Sequence, residues 1–224
     1  MKAVVFDLDN TLYPEIEFVK SGFTAVARYL SSRYHYDTDS LLRQMLDIMN
    51  RDGRGKIFDS LLSSLGIYTP EKVRLLVYLY RSHSPNIRLY DDVRPTLKHL
   101  RDSGMSLGLL TDGMASVQRR KIAALGLESL FDAIVCTDEL GQDSGKPSPI
   151  PYQIILDLLG VSPAESAYVG NDPEKDFPGP NLLGMLGIHL QRPGSMAQTI
   201  PQNARARFVI KEMKDILSIV GVGV

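Results

Sequence analysis

Two aspartates separated by a single residue close an apolar run near the start of the chain, Val4-Val5-Phe6-Asp7-Leu8-Asp9. An extended strand sends alternate side chains to one face, so Asp7 and Asp9 are expected on the same side. Two close carboxylates repel unless a cation or a shared proton offsets them. A hard divalent cation is the simpler solution: magnesium takes oxygen ligands, retains waters, and is completed by one or two carboxylates and a substrate phosphate. A second acidic stretch, Gly170-Asn171-Asp172-Pro173-Glu174-Lys175-Asp176, also follows an apolar run. Either Asn171, through its amide oxygen, or Asp172, through its carboxylate, is suited to the remaining metal contact. Asp176 is the candidate to hold Lys146 or a metal-bound water, an outer contact of the kind that fixes the inner geometry. In Leu109-Leu110-Thr111-Asp112-Gly113, the N–H groups of Asp112 and Gly113, opening a helix, offer anion-binding donors.

These residues need a scaffold that brings strand ends together. Short β-branched or apolar runs alternate with amphipathic helical stretches, the pattern of a parallel sheet covered by helices, so the fold class is α/β. Strands are predicted over residues 3–6, 106–110, 133–136, 166–169 and 187–190, with 207–210 as an edge. Helices are predicted over 94–103, 114–125, 150–159 and 173–183, several of them stopped by glycine. In an open parallel sheet ligands collect outside the carboxyl ends of the strands, where both aspartates fall. Residues 15–85 break the rhythm, since they contain no convincing strand and are far longer than an ordinary strand-to-helix connection. Three apolar faces lie there: Phe18, Phe23, Val26, Ala27 and Leu30; Leu41, Leu42, Met45, Leu46 and Met49; and Val73, Leu76, Val77 and Tyr80. The expected architecture is a doubly wound, Rossmann-like core of residues 1–14 and 86–224 with an inserted helical cap of residues 15–85.

Composition narrows the function classes. With 224 residues, 44% hydrophobic and 23% charged, the chain has an ordinary globular balance. A formal net charge of −1 gives no electrostatic footprint for a nucleic-acid polymer or an anionic membrane, so a small anionic metabolite has to be met by local cations. Cys136 is the single cysteine and sits in an apolar run, which excludes an internal disulfide and a thiolate zinc cluster and suits a structural role. His35, His83, His99 and His189 have no metal-ligand spacing and are read as surface or packing residues. The N-terminus enters an apolar strand directly and no run reaches membrane-spanning length, which predicts a cytoplasmic protein. The sequence is compatible with a monomer or a homodimer.

The residues Asp7-Leu8-Asp9-Asn10-Thr11 resemble the Asp-x-Asp-x-Thr signature of the haloacid dehalogenase-like hydrolases, most of which are phosphatases. Three further segments are similar in the family's order and carry the resemblance from Lys2 to about Gly184. Leu109 to Gly113 resembles its second motif, which implies that Thr111 hydrogen-bonds the transferring phosphoryl group. Gly145-Lys146-Pro147 resembles its third, which makes Lys146 the cation that neutralises charge on nucleophile and phosphoryl oxygens. Tyr168 to Asp176 resembles its fourth, with a departure: the family often has Gly-Asp where this chain has Gly170-Asn171. The implied metal set is Asp7, Asp9, Asn171 and Asp172 around Mg2+.

The resemblance implies a two-step reaction in which Asp7 attacks phosphorus, an aspartyl-phosphate forms, and water releases phosphate. Asp9 then protonates the leaving oxygen and later deprotonates the water. The dehalogenase branch is disfavoured, since it generally lacks the second aspartate. The same residues also suit a phosphomutase, which returns the phosphoryl group to a sugar, and the fold could carry a catalytically silent binding protein. Specificity is expected from the cap, where Arg51-Asp52-Gly53-Arg54-Gly55-Lys56 joins flexible glycines to cations; Arg54 and Lys56 are its candidate substrate contacts. The start Asp-Leu-Asp-Asn-Thr-Leu-Tyr-Pro is also similar to the branch containing pyrimidine-nucleotide 5′-phosphatases, which brings nucleoside monophosphates beside sugar phosphates as expected substrates.

Overall fold

A computed structural model describes residues 1–141, 143–192 and 200–222. In chain order, β1 (Ala3–Phe6) is followed by four helices: α1 (Glu15–Tyr34), α2 (Thr38–Asp52), α3 (Ile57–Ser64) and α4 (Pro70–Ser82). Then come α5 (Val93–Asp102), β2 (Ser106–Thr111), α6 (Ala115–Leu125), β3 (Ala133–Cys136), α7 (Ile150–Leu159) and β4 (Ser166–Gly170). The chain continues through α8 (Pro173–Asp176), α9 (Pro178–Leu183), β5 (Leu186–Leu190), β6 (Phe208–Ile210) and α10 (Ile216–Val220). It divides into two compact units, one of residues 1–14 with 88–224, the other Glu15–Ile87.

The first unit is a six-stranded sheet of order β3-β2-β1-β4-β5-β6. Every pairing is parallel. β1 pairs with β2 on one side and β4 on the other, so the winding reverses at its carboxyl end, where a doubly wound sheet opens its crevice. All four residues of β1 are buried, as expected of a strand covered on both faces. α6 and α7 each stop at a glycine in the left-handed conformation, Gly126 and Gly160, a backbone state other residues adopt at a steric cost.

The second unit is a bundle of four helices around one apolar cluster that includes Phe23, Leu30, Leu41, Met45 and Leu76. α1 carries Glu15 and Glu17 in its first turn and Arg33 in its last, matching the helix dipole. Asp37 and Thr69 cap α2 and α4 by accepting the N–H groups of Ser40 and Lys72. α3 places Ile57, Phe58, Leu61 and Leu62 in the same cluster, an apolar face additional to the three read from the sequence.

One predicted helix, 173–183, is two. Phe177 interrupts it because Pro178 has no N–H to donate and crowds the residue before it. Among the described residues no helix is long and apolar enough to cross a membrane.

Candidate active site

The carboxyl end of β1 delivers Asp7 into a buried charged cluster. Its Oδ1 lies 2.5 Å from the Nζ of Lys146, which also lies 2.9 Å from Asp176 Oδ1. The side chains of Lys146 and Asp176 are each 2% exposed and that of Asp7 10%. Asp176 completes four bonds: its Oδ1 also accepts the Tyr168 hydroxyl at 3.0 Å, and its Oδ2 accepts the N–H groups of Asn171 at 3.0 Å and Asp172 at 2.9 Å. It thereby holds both the lysine and the loop that follows β4. Gly170 is required at the end of that strand, because a Cβ there would collide with the Asp176 carboxylate. His189 on β5 steadies the same loop through the Asn171 carbonyl at 3.2 Å.

Two carboxylates share one ammonium in this cluster. Burial pushes the Asp7 carboxyl up to about 7, against the pull of Lys146 and with a further push from Asp176. Burial alone would lower Lys146, but Asp176 and Asp7 outweigh it and hold the ammonium well above the usual lysine value. By charge count the cluster is one cation short: two buried carboxylates lean on a single ammonium.

Thr11 links the cluster to the metal candidates. Its hydroxyl lies 3.0 Å from Asp7 Oδ2 and 3.2 Å from Asn171 Oδ1. A hydroxyl carries one proton, so these two acceptors are served by a single hydrogen. Asp172 instead spends Oδ1 on the Glu174 N–H at 3.2 Å, capping α8. Oxygen donors facing a deficit of positive charge are what a hard cation requires, so the residues present fit magnesium.

Asp9 has partners of its own. Lys121 Nζ lies 2.8 and 3.0 Å from its two oxygens, Gln118 Nε2 lies 2.9 Å from Oδ2, and the Tyr13 hydroxyl donates to Oδ1. Asp9 is thus held by partners separate from those of Asp7. Among the influences on Asp7, Asp9 is the weakest. Gln118 and Lys121 escaped the sequence reading. The available signal was two polar residues at positions 118 and 121 of a helix face whose other members, Ile122 and Leu125, are apolar.

Thr111 ends β2, 1% exposed, with its hydroxyl 2.5 Å from Gln118 Nε2. Asp112 is a loop organiser through its side chain: Oδ1 accepts the Thr137 hydroxyl at 2.7 Å and the Lys146 N–H at 3.1 Å. α6 begins only at Ala115, whose N–H bonds to Asp138 at 2.9 Å, so Asp112 and Gly113 precede the helix rather than form its first turn. Arg192, also outside the sequence reading, bonds the Thr11 carbonyl at 3.2 Å and Asp92 at 2.7 Å, tying the outgoing end of β1 to the returning chain. In the helical unit Arg54 grips Glu15 in a two-pronged pair at 2.6 and 2.9 Å, and Lys56 is exposed ahead of α3. Cys136 is buried, and burial pushes its thiol up, which suits an inert packing residue.

The profile of the family described as haloacid dehalogenase-like hydrolase matches residues 4–185. The chain belongs to the haloacid dehalogenase-like hydrolases. Among curated relatives of this hydrolase, the glyceraldehyde 3-phosphate phosphatase of Methanopyrus kandleri is 31% identical, over 98% of this chain and 97% of the relative. The N-acylneuraminate-9-phosphatase of Mus musculus is 31% identical, over 80% of this chain and 77% of the relative. Among solved structures, a HAD phosphatase from Thermococcus onnurineus is similar with a TM-score of 0.66 and 26% identity, covering 99% of this chain and 98% of that one. Three of the hydrolase's strands, β1, β2 and β4, deliver the motifs of the matched region, and Lys146 arrives from the loop between β3 and α7.

Proposed function

We propose that this hydrolase is a phosphatase acting on a small phosphorylated metabolite through an aspartyl-phosphate on Asp7, with Asp9 as the proton carrier. The observation that carries the proposal is Asp7 itself: a buried carboxylate at the end of the central strand, held by Lys146 and Thr11 at the switch point of the sheet. Neighbouring β2 offers the Thr111 hydroxyl to the phosphoryl oxygens.

In this reading Asp7 attacks phosphorus in line with the leaving oxygen, which takes the Asp9 proton as the P–O bond breaks. Asp9, now a carboxylate, then takes a proton from the water that attacks the aspartyl-phosphate, and phosphate leaves. Lys146 balances the Asp7 anion and the incoming phosphoryl charge. Asp7 and Asn171 are the side chains favoured to hold magnesium, because they share the single Thr11 proton, whereas Asp172 is engaged in capping α8. Magnesium, when bound, supplies the positive charge that offsets repulsion between a carboxylate nucleophile and an anionic ester.

The substrate class rests on the relatives, named glyceraldehyde 3-phosphate phosphatase and N-acylneuraminate-9-phosphatase. Specificity is assigned to the helical unit acting as a cap, with Arg54 and Lys56 as its cations for the substrate; Lys56→Ala raising KM for an anionic ester tests this. The cytoplasm is the compartment we assign.

Phosphate release from a panel of glyceraldehyde 3-phosphate, phosphoserine, sugar phosphates and nucleoside monophosphates, with magnesium or with chelator, tests the function. Release that requires magnesium and disappears in a folded Asp7→Asn protein is expected. Near-normal release by Asp7→Asn, or release unaffected by chelator, overturns the mechanism.

A further inference from the structure

Lys121 and Gln118 are buried on α6, 5% and 2% exposed, although the same helix has a solvated side. Burying an ammonium is costly unless it is well paired, so the placement of Lys121 demands a reason beyond packing. Its partner is Asp9, reached through both oxygens at 2.8 and 3.0 Å. Gln118, one turn away on the same face, meets Asp9 Oδ2 at 2.9 Å and Thr111 Oγ1 at 2.5 Å with the same amide nitrogen. An amide nitrogen only donates, so both of its hydrogens are in use. The Thr111 hydroxyl receives one of them and keeps its own proton to give to a phosphoryl oxygen.

We propose that Lys121 and Gln118 are positioning residues of the reaction: Lys121 fixes the Asp9 carboxyl in place, and Gln118 fixes its distance from the phosphate-binding hydroxyl of Thr111. The inference rests on the reading of Asp9 as the proton carrier. Neither residue touches substrate; each acts through a group that does. When Asp9 gives its proton to the leaving oxygen, the product is an alcohol and an Asp9 carboxylate, and that carboxylate remains on Lys121. A proton donor matters most where the leaving group is a poor one, which separates this role from general support of the fold.

The test is kinetic and structural. Lys121→Met and Gln118→Met, similar in volume to the originals, are measured on glycerol phosphate, whose alkoxide needs a proton, and on p-nitrophenyl phosphate, whose phenolate does not. We expect kcat on glycerol phosphate to fall about 100-fold, at the lower end of what a proton carrier supplies. The fall on p-nitrophenyl phosphate should be at least about tenfold smaller, the same split that Asp9→Asn produces. In the Asp9→Asn background Lys121→Met should cost about threefold or less, because residues acting through one group are not additive. Lys121→Arg should restore part of the glycerol phosphate rate. Crystals of Lys121→Met and Gln118→Met should show the Asp9 carboxylate displaced from its wild-type position. Equal losses on both esters, losses that add to that of Asp9→Asn, or an unmoved Asp9 overturn the proposal. Should wild-type protein release phosphate from no ester, the function reading fails by itself, and the position of Asp9 in the variant crystals still decides the inference.

Discussion

Asp176→Asn isolates the role of the carboxylate that organises the site, because it changes charge and donor pattern with almost no change in volume. The wild-type group faces four donors in two pairs: Lys146 and Tyr168 on Oδ1, and the N–H groups of Asn171 and Asp172 on Oδ2. An asparagine has one oxygen, so whichever way the amide turns, one pair keeps an acceptor and the other meets an NH2. Two buried donors lose their partner, and Lys146 keeps only Asp7 as counter-charge. Unsatisfied buried donors cost roughly 1–3 kcal/mol each, more where the donor is charged as Lys146 is. Since the losses share the same atoms they do not sum, and about 3–5 kcal/mol is expected in total. For a protein of this size that lowers Tm by on the order of 10 °C. Thermal melts and urea titrations of wild-type and Asp176→Asn protein measure it, and phosphate release below both melting points should fall at least about 100-fold as Lys146 and the loop after β4 lose their anchor. A Tm within about 2 °C of wild type, or near-normal turnover, refutes the view that Asp176 is the hub of the cluster.

Three further outcomes follow from the same geometry. Gly170→Ala drives a methyl into the Asp176 carboxylate and should destabilise by about 1–3 kcal/mol, read as a lower urea midpoint at unchanged slope. Magnesium at about ten times its Kd should stabilise the wild type by roughly 1.4 kcal/mol in thermal melts, a gain that Asn171→Ala removes and Asp172→Ala largely keeps. Burial works to raise the Asp92 carboxyl, but Arg192 and the Met213 N–H outweigh it and hold the group below the ordinary aspartate value. The stability this contributes is present above the unfolded value and is lost as pH falls through the folded one. Asp92→Asn should therefore be less stable at neutral pH and show a flatter decline in Tm below about pH 4.

Much of the core was legible because its signals are local. β1 and the aspartate after it lie in consecutive residues, and each strand end that carries a motif is an apolar run followed at once by polar residues. The break at Phe177 was legible in principle, since Pro178 stands at the interruption, yet the apolar spacing through Leu183 masked it. α3 was missed because its eight residues, Ile57–Ser64, repeat their apolar face only once, at Ile57-Phe58 and Leu61-Leu62. Lys121 and Gln118 were hidden for another reason: on an isolated helix a lysine or glutamine is read as solvated, and only the tertiary position of Asp9 shows why these two face inward. Arg192 lies 181 positions from Thr11, a distance no local pattern spans.

The two aspartates whose expected repulsion first pointed to a metal each have an ammonium beside them in the structure. Asp7 and Asp9 leave the same strand end, but each finds its own ammonium, Lys146 for one and Lys121 for the other. A pair of aspartates served by a pair of lysines is balanced and by itself asks for no cation. The imbalance enters with Asp176, which draws on Lys146 from the far side and leaves two buried carboxylates on one charge. The case for magnesium therefore rests on the Asp7, Lys146, Asp176 and Asn171 side of the site. The Asp9 side carries one carboxylate on one ammonium, with Gln118 and Tyr13 as further donors. In the reaction proposed above, with Asp7 as nucleophile and Asp9 as proton carrier, separate counter-charges let the two work from one strand end, where a single cation between them would bind both in one state.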